Sequence, residues 1–181
     1  PAIPAAGPAH CGRCLARAPS YDRTHALYQY LPPVDRLVQG FKYHRRLDWG
    51  RVLGEALARH LAATGERADA IVPVPLHRRR LRERGYNQSL ELARPIGRLL
   101  GIPVRPRAAR RVRPTPAQAG LSRDERRRNV RSAFEIVEAV TGQRIAIVDD
   151  VMTSGHTVNA LARALKRAGA NEVVVWVLAR A

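Results

Sequence analysis

The sharpest change of polarity along the chain comes where four apolar residues, Ile-Ala-Ile-Val at 145–148, run directly into two carboxylates, Asp149 and Asp150. A short unbroken apolar run of this kind suits a strand covered on both faces. Comparable runs stand at 70–74 and at 173–178, the second rich in β-branched residues. Weaker strand signals lie at 26–30, at 134–137 and within 104–113. Between them the apolar period lengthens to that of a helix. Val34, Leu37, Val38 and Phe41 share one face over Val34–Tyr43, and Val52, Leu53, Ala56, Leu57 and Leu61 share one over Leu47–Ala63. Gln88–Leu100 is helical in pattern, with Pro95 expected to kink or end it. Residues 158–168 form the last predicted helix, stopped by Gly169. Strands alternating with helices predict an α/β fold, a mainly parallel sheet flanked by helices. Residues 1–22, rich in Pro, Ala and Gly, read as a poorly ordered N-terminal appendage.

The acid pair is expected to end its strand, and Thr153, Ser154, Gly155, His156 and Thr157 fill the turn before the next helix. Gly155 permits positive φ and close backbone approach. The three hydroxyls are donors, and the amides at a helix start have no intrahelical partner, so the turn favours an anion such as a phosphate monoester. The aspartates would repel that phosphate. They suit its neighbours, a ribose diol or a bound Mg2+. A phosphate cup beside a diol acceptor describes a ribose 5-phosphate. An Asp-Asp pair can also simply end a strand and cap a turn.

A second stretch follows the 70–74 strand: Pro73-Val74-Pro75-Leu76-His77, then arginines at 78, 79, 80, 82 and 84. Placed beside the acid pair, these would meet an anionic ligand through amides and guanidinium forks; otherwise they make a solvated basic loop. A third, from Arg113 to Asn129, is punctuated by Pro and Gly and offers little to a core. It reads as a loop with a short helix, a lid that would exclude water from a reacting site, or a basic arm for a nucleic-acid backbone.

Charge sharpens this picture. The chain carries 32 basic and 15 acidic residues, net +17, which points to a polyanionic partner, nucleic acid or phosphorylated substrates. All but Lys42 and Lys166 of the basic residues are arginine, a bias that a GC-rich genome would also produce. No apolar run approaches the roughly 18–20 residues that would span a membrane, and no signal-peptide pattern opens the sequence. A cytoplasmic protein is expected. There is no initiator methionine, so a chain trimmed at its N-terminus is expected as well. Cys11 and Cys14 form one Cys-x-x-Cys, half of a zinc ribbon, which needs four ligands.

Residues 148–157, Val-Asp-Asp-Val-Met-Thr-Ser-Gly-His-Thr, resemble the PRPP-binding motif of type I phosphoribosyltransferases (PRPP being 5-phosphoribosyl 1-pyrophosphate). Met152 and His156 depart mildly from its usual pattern. Phe41-Lys42-Tyr43, Pro73-Val74-Pro75-Leu76, Arg84-Gly85-Tyr86-Asn87-Gln88, Gln118 with Leu121-Ser122, Arg126 with Asn129-Val130, and Phe134 together resemble the ComF family, competence-linked phosphoribosyltransferase-like proteins. The resemblance spans about 11–181 and implies a short N-terminal segment, 1–24, partly zinc-ribbon-like or disordered, ahead of a type I phosphoribosyltransferase-like domain, 25–181. Family members usually carry two Cys-x-x-Cys pairs; here only Cys11 and Cys14 are present, so Zn2+ binding requires further ligands.

For function, the resemblance implies PRPP bound with Mg2+. Asp149 and Asp150 would hold the sugar and Thr153, Ser154, Gly155, His156 and Thr157 the 5-phosphate. Val74, Pro75, Leu76 and Arg84 would hold pyrophosphate, and Arg113, Gln118, Arg126 and Asn129 would belong to the lid. The expected activity is phosphoribosyl transfer. The alternative is an accessory protein of DNA uptake that binds single-stranded DNA, with a competence helicase as a candidate partner and a regulatory or vestigial PRPP pocket. Tyr43 and Tyr86 could then stack bases or merely pack.

Overall fold

The computed structural model describes residues 18–43, 47–112 and 133–181. Six strands and five helices are described: β1 (Arg23–Gln29), α1 (Val34–Tyr43), α2 (Leu47–Ala63), β2 (Ala70–Pro73), α3 (Arg78–Arg84), α4 (Gln88–Leu100), β3 (Ala109–Arg111), β4 (Phe134–Ile136), β5 (Arg144–Met152), α5 (His156–Arg167) and β6 (Glu172–Arg180).

Four strands form one parallel sheet in the order β1-β6-β5-β2. The apolar runs are continuous because helices cover both faces, so neither set of alternating side chains meets water. Ile145, Ile147, Val173, Val175 and Val177 face Val158, Leu161 and Leu165 of α5. Ala146, Val148, Val174, Trp176 and Leu178 pack with Phe41, Leu57, Leu61, Leu92 and Ile96 of α1, α2 and α4. A fifth segment touches the β2 edge at one bridge, Val104 to Ile71. Strands β3 and β4 pair antiparallel in a separate two-stranded sheet. The strand expected within 104–113 is therefore divided between two sheets.

Three expectations need correction. Strand β5 does not stop at the acid pair but continues through it to Met152, because β6 is long enough to pair with it as far as Arg180. Pro95 does not end α4. Its ring fills the notch left by Gly54 of α2, where a Cβ would lie 2.4 Å from Pro95 Cγ, and this packing offsets the lost hydrogen bond. Nor do the arginines after Pro75 form a loop. They form α3, with His77 accepting from the Arg79 amide at one end and Gly85 closing the other at φ 81°.

Residues 18–22, assigned to the loose appendage, are tied down: the Ser20 amide donates to Asn159 Oδ1, and Asp22 pairs with Lys166 at 2.7 Å. Cys11, Cys14 and the 113–129 lid, including Arg113, Gln118, Arg126 and Asn129, lie outside the described residues.

Candidate functional site

Parallel strands deliver their ligands' neighbours at their carboxyl ends. Here the ends of β2 and β5 are adjacent, in register from Ala70 with Ile145 to Pro73 with Val148. That pairing brings together the two stretches singled out in the sequence.

The turn after β5 is open. Gly155 is the N-cap of α5 at φ 72°, with no side-chain cap, and the first helical bond runs from the Asn159 amide to the Gly155 carbonyl. The amides ahead of Asn159 therefore have no intrahelical acceptor. Met152 is buried beneath the turn; a Cβ at 155 would stand 2.8 Å from Met152 Cε, so glycine is required by both φ and space. Thr153, Ser154 and His156 are exposed, and Ser154 Oγ lies 2.9 Å from His156 Nδ1.

The acid pair is held tightly. Asp149 Oδ1 accepts from Ser89 Oγ and from the Asp150 amide, both at 2.9 Å. Asp150 Oδ1 accepts from the Val151 amide at 2.6 Å, and its Oδ2 lies 3.2 Å from Lys42 Nζ at the end of α1. Burial first, and the Asp150 charge second, push the Asp149 carboxyl up to about 7, against the opposing pull of Ser89, the Asp150 amide and Lys42. Two further cations gather here. Burial and then the nearby Arg80 lower Arg111 below its ordinary value, while Asp149 raises it. Arg111 also stacks over Phe134 at 5.5 Å.

At the end of β2, the Val74 amide donates to the Val148 carbonyl and the Val74 carbonyl accepts from Asn87 Nδ2. Pro75 has no amide hydrogen. Of Val74, Pro75 and Leu76, only Leu76 keeps a backbone donor, and no described residue accepts it. Arg84 ends α3 immediately before the Gly85 cap. Tyr86 is half-buried, its hydroxyl donating to the Phe41 carbonyl and its ring tilted against Phe41. Asn87 caps α4, and Ser89 two residues later reaches Asp149. The Arg-Gly-Tyr-Asn-Gln-Ser run is thus a connector that ends the basic helix, anchors α1 and supports the acid pair.

Sequence reasoning missed Lys42, Ser89 and Arg111 as site residues. Lys42 left two signals: it stands in the Phe41-Lys42-Tyr43 stretch that carries the family resemblance, and it is a lysine in a chain that uses arginine nearly everywhere else. Ser89 and Arg111 left none, since their roles arise from tertiary placement. Beside the site a cavity of about 680 Å³ lies between α3, α4 and β3, lined by Leu76, Arg78, Leu81, Tyr86, Arg110 and Val112 among others; the acid pair and the turn do not line it.

A doubly covered parallel sheet with an uncapped glycine turn beside paired aspartates defines a domain of the phosphoribosyltransferase class. The family model described as phosphoribosyl transferase domain matches residues 50–181, and the chain belongs to that family. Within it the chain is a ComF-type protein. It is 37% identical over 182 residues to competence protein F of Haemophilus influenzae, covering 95% of this chain and 79% of that one. It is 40% identical over 184 residues to DNA utilization protein YhgH of Salmonella typhimurium, covering 98% and 81%. Among solved structures, the glutamine PRPP amidotransferase of B. subtilis, complexed with ADP and GMP, aligns with a TM-score of 0.55 at 25% identity, over 77% of this chain and 30% of that one. Among the described residues, no helix is long and apolar enough to cross a membrane.

Proposed function

We propose that the chain binds PRPP with Mg2+ and transfers its ribosyl 5-phosphate to an acceptor. The observation that carries this reading is the uncapped first turn of α5 behind Gly155, directly after the acid pair. Amides of the 154–158 segment, with the hydroxyls of Thr153, Ser154 and Thr157, hold the 5-phosphate. Asp149 and Asp150 accept from the ribose hydroxyls. The Leu76 amide, Arg84, Arg80 and Arg111 face the pyrophosphate. As the C1–oxygen bond breaks, pyrophosphate leaves with the electron pair. The acid pair then lies against a sugar gaining positive character, an electrostatic preference for the transition state.

Mg2+ typically takes one or two carboxylates together with substrate phosphates. Among the described residues no group of three or more His, Cys, Asp or Glu could hold a metal ion. This donor set fits an ion carried in on the pyrophosphate, which would neutralise leaving-group charge.

Titrating PRPP and Mg2+ into the protein during thermal melting tests the pocket. At a hundredfold excess over Kd the expected stabilisation is about 2.7 kcal/mol. Asp150→Asn should abolish pyrophosphate release from PRPP in the presence of an acceptor. No shift with PRPP sinks the reading.

A second reading, single-strand DNA binding, draws on the net charge of +17, the exposed α3 with its five arginines and the basic cavity beside it. The relatives' names, competence protein F and DNA utilization protein, favour it too. Such binding should weaken steeply with salt and be indifferent to Asp150→Asn.

A further inference from the structure

Lys42 reaches the acid pair from outside the strand ends that build the rest of the site, and it is held there from both sides. Phe41 is fully buried, with its ring against Gly50, where a Cβ would lie 3.0 Å from Phe41 Cε2. The Phe41 carbonyl, one of the last in α1, takes the Tyr86 hydroxyl. The peptide bearing Lys42 is therefore fixed before any ligand arrives. The ion pair itself is sheltered, with side-chain exposures of 22% for Lys42 and 10% for Asp150. The chain's other lysine, Lys166, does something different: it staples the Asn171 carbonyl and Asp22 at the opposite end of the sheet.

Lysine is the informative choice at this position. An arginine fork would take both oxygens of Asp150 in a bidentate clamp. An ammonium has three donors, of which the Asp150 contact uses one. Asp149 complements it, because among the described residues none donates to its Oδ2. The mouth of the acid pair thus presents an acceptor and a cationic donor side by side, the pairing that a sugar hydroxyl, both donor and acceptor, satisfies.

We propose that Lys42 is part of the sugar-binding surface: its ammonium neutralises Asp150 and donates to a pentose hydroxyl, so that ribose 5-phosphate is held by Lys42, the acid pair and the 153–157 turn with no divalent ion between the diol and the acid pair. This rests on the reading of the turn as a sugar-phosphate site. Mg2+ is then needed for the pyrophosphate and not for the pentose.

Calorimetric titration tests this with ribose 5-phosphate, which lacks pyrophosphate, in EDTA and in Mg2+, and with inorganic phosphate as the probe of the turn alone. The wild-type protein should bind ribose 5-phosphate about equally in both conditions. Lys42→Met should weaken it about 10-fold or more while leaving inorganic phosphate unchanged, a separation that a merely structural lysine would not produce. Lys42→Arg should not restore binding. Should Lys42→Met lose its melting transition, Lys42→Gln, which keeps a polar donor, carries the same comparison. Equal affinity in wild type and variant, or wild-type binding of ribose 5-phosphate only in Mg2+, overturns the role of Lys42 and leaves the site intact. Failure of wild type to bind either ligand in Mg2+ overturns the sugar-phosphate reading and this inference with it.

Discussion

At the amino end of the central sheet, Glu66 is surrounded: Arg144 Nη2 and His25 Nε2 lie at 3.0 Å and Arg23 Nε at 3.7 Å, and the Glu66 side chain is only 8% exposed. Arg144 also meets Glu172 at 3.2 Å, and its amide donates to Asp69. At the carboxyl end, Asp149 and Asp150 are also enclosed, yet they sit side by side, with one lysine on Asp150, and precede a turn whose first amides have no intrahelical acceptor. The amino end has matched its charges within the protein. The carboxyl end holds like charges together and leaves donors without acceptors. A fold tolerates such a mismatch where a ligand completes it. On the proposed function, the two ends separate stability from binding within one sheet.

The largest expected effect breaks the matched end. Glu66→Ala removes the common partner of Arg23, His25 and Arg144, while Arg23 and Arg144 keep Glu172. A loss of roughly 2–3 kcal/mol of folding stability is expected, as for a buried charged hydrogen-bond partner removed. Denaturant unfolding measures it. Ribose 5-phosphate affinity of the folded fraction should stay unchanged, since nothing at Glu66 touches the other end. A fall in affinity as large as the fall in stability would show that the two ends are not separable.

The same division explains what could be read in advance. Helices α1, α2 and α4 were legible to the residue, because their apolar stripes are long and unmixed. The sheet was legible as parallel because its strands are apolar on both faces. Local pattern failed where tertiary packing decided the outcome. Pro95 continues a helix because Gly54 receives it, and β5 runs past its carboxylates because β6 pairs with it. The turn and helix start within Asp149–Thr157 were legible because all their parts are contiguous. Lys42, Ser89 and Arg111 come from three other elements. Only a fold brings a helix end, a helix start and a short antiparallel strand to one pair of carboxylates. The ion network around Glu66 was not legible at all, its members being scattered from Arg23 to Glu172.

A smaller effect sharpens the contrast from the other side. Gly155→Ala places a side chain at φ 72° and within 2.8 Å of Met152 Cε. The left-handed conformation costs about 1–2 kcal/mol for a residue with a Cβ, and the flexible methionine end can move aside. Stability should fall by that amount or less, while inorganic phosphate and ribose 5-phosphate binding should fall far more, because the amide cup is re-aimed. Thermal melting and calorimetry on the same preparation check both. Loss of stability without loss of phosphate binding would remove the turn from the site.

The third effect runs opposite in sign to the first, and for that reason discriminates most sharply between the two ends. Asp149→Asn keeps an oxygen for Ser89 and the Asp150 amide but removes the enclosed charge. With the Asp149 carboxyl raised from 3.8 to about 7 by burial and by Asp150, the folded protein holds a proton that the unfolded chain has released. Between those values the unfolded state binds fewer protons, so wild-type stability falls as pH rises. Below 3.8 both states are protonated and no difference remains; above about 7 both are ionised and the cost is constant. The substitution should therefore stabilise the ligand-free protein, by about 1–2 kcal/mol at pH 8 and by roughly a third of that at pH 5. Melting curves at the two pH values measure it, and ribose 5-phosphate affinity should drop in the same variant. A substitution that strengthens the fold and weakens the ligand marks a carboxylate kept for binding at the expense of stability. If Asp149→Asn instead destabilises at pH 8 as Glu66→Ala does, the carboxyl end is matched like the amino end, and the contrast between them dissolves.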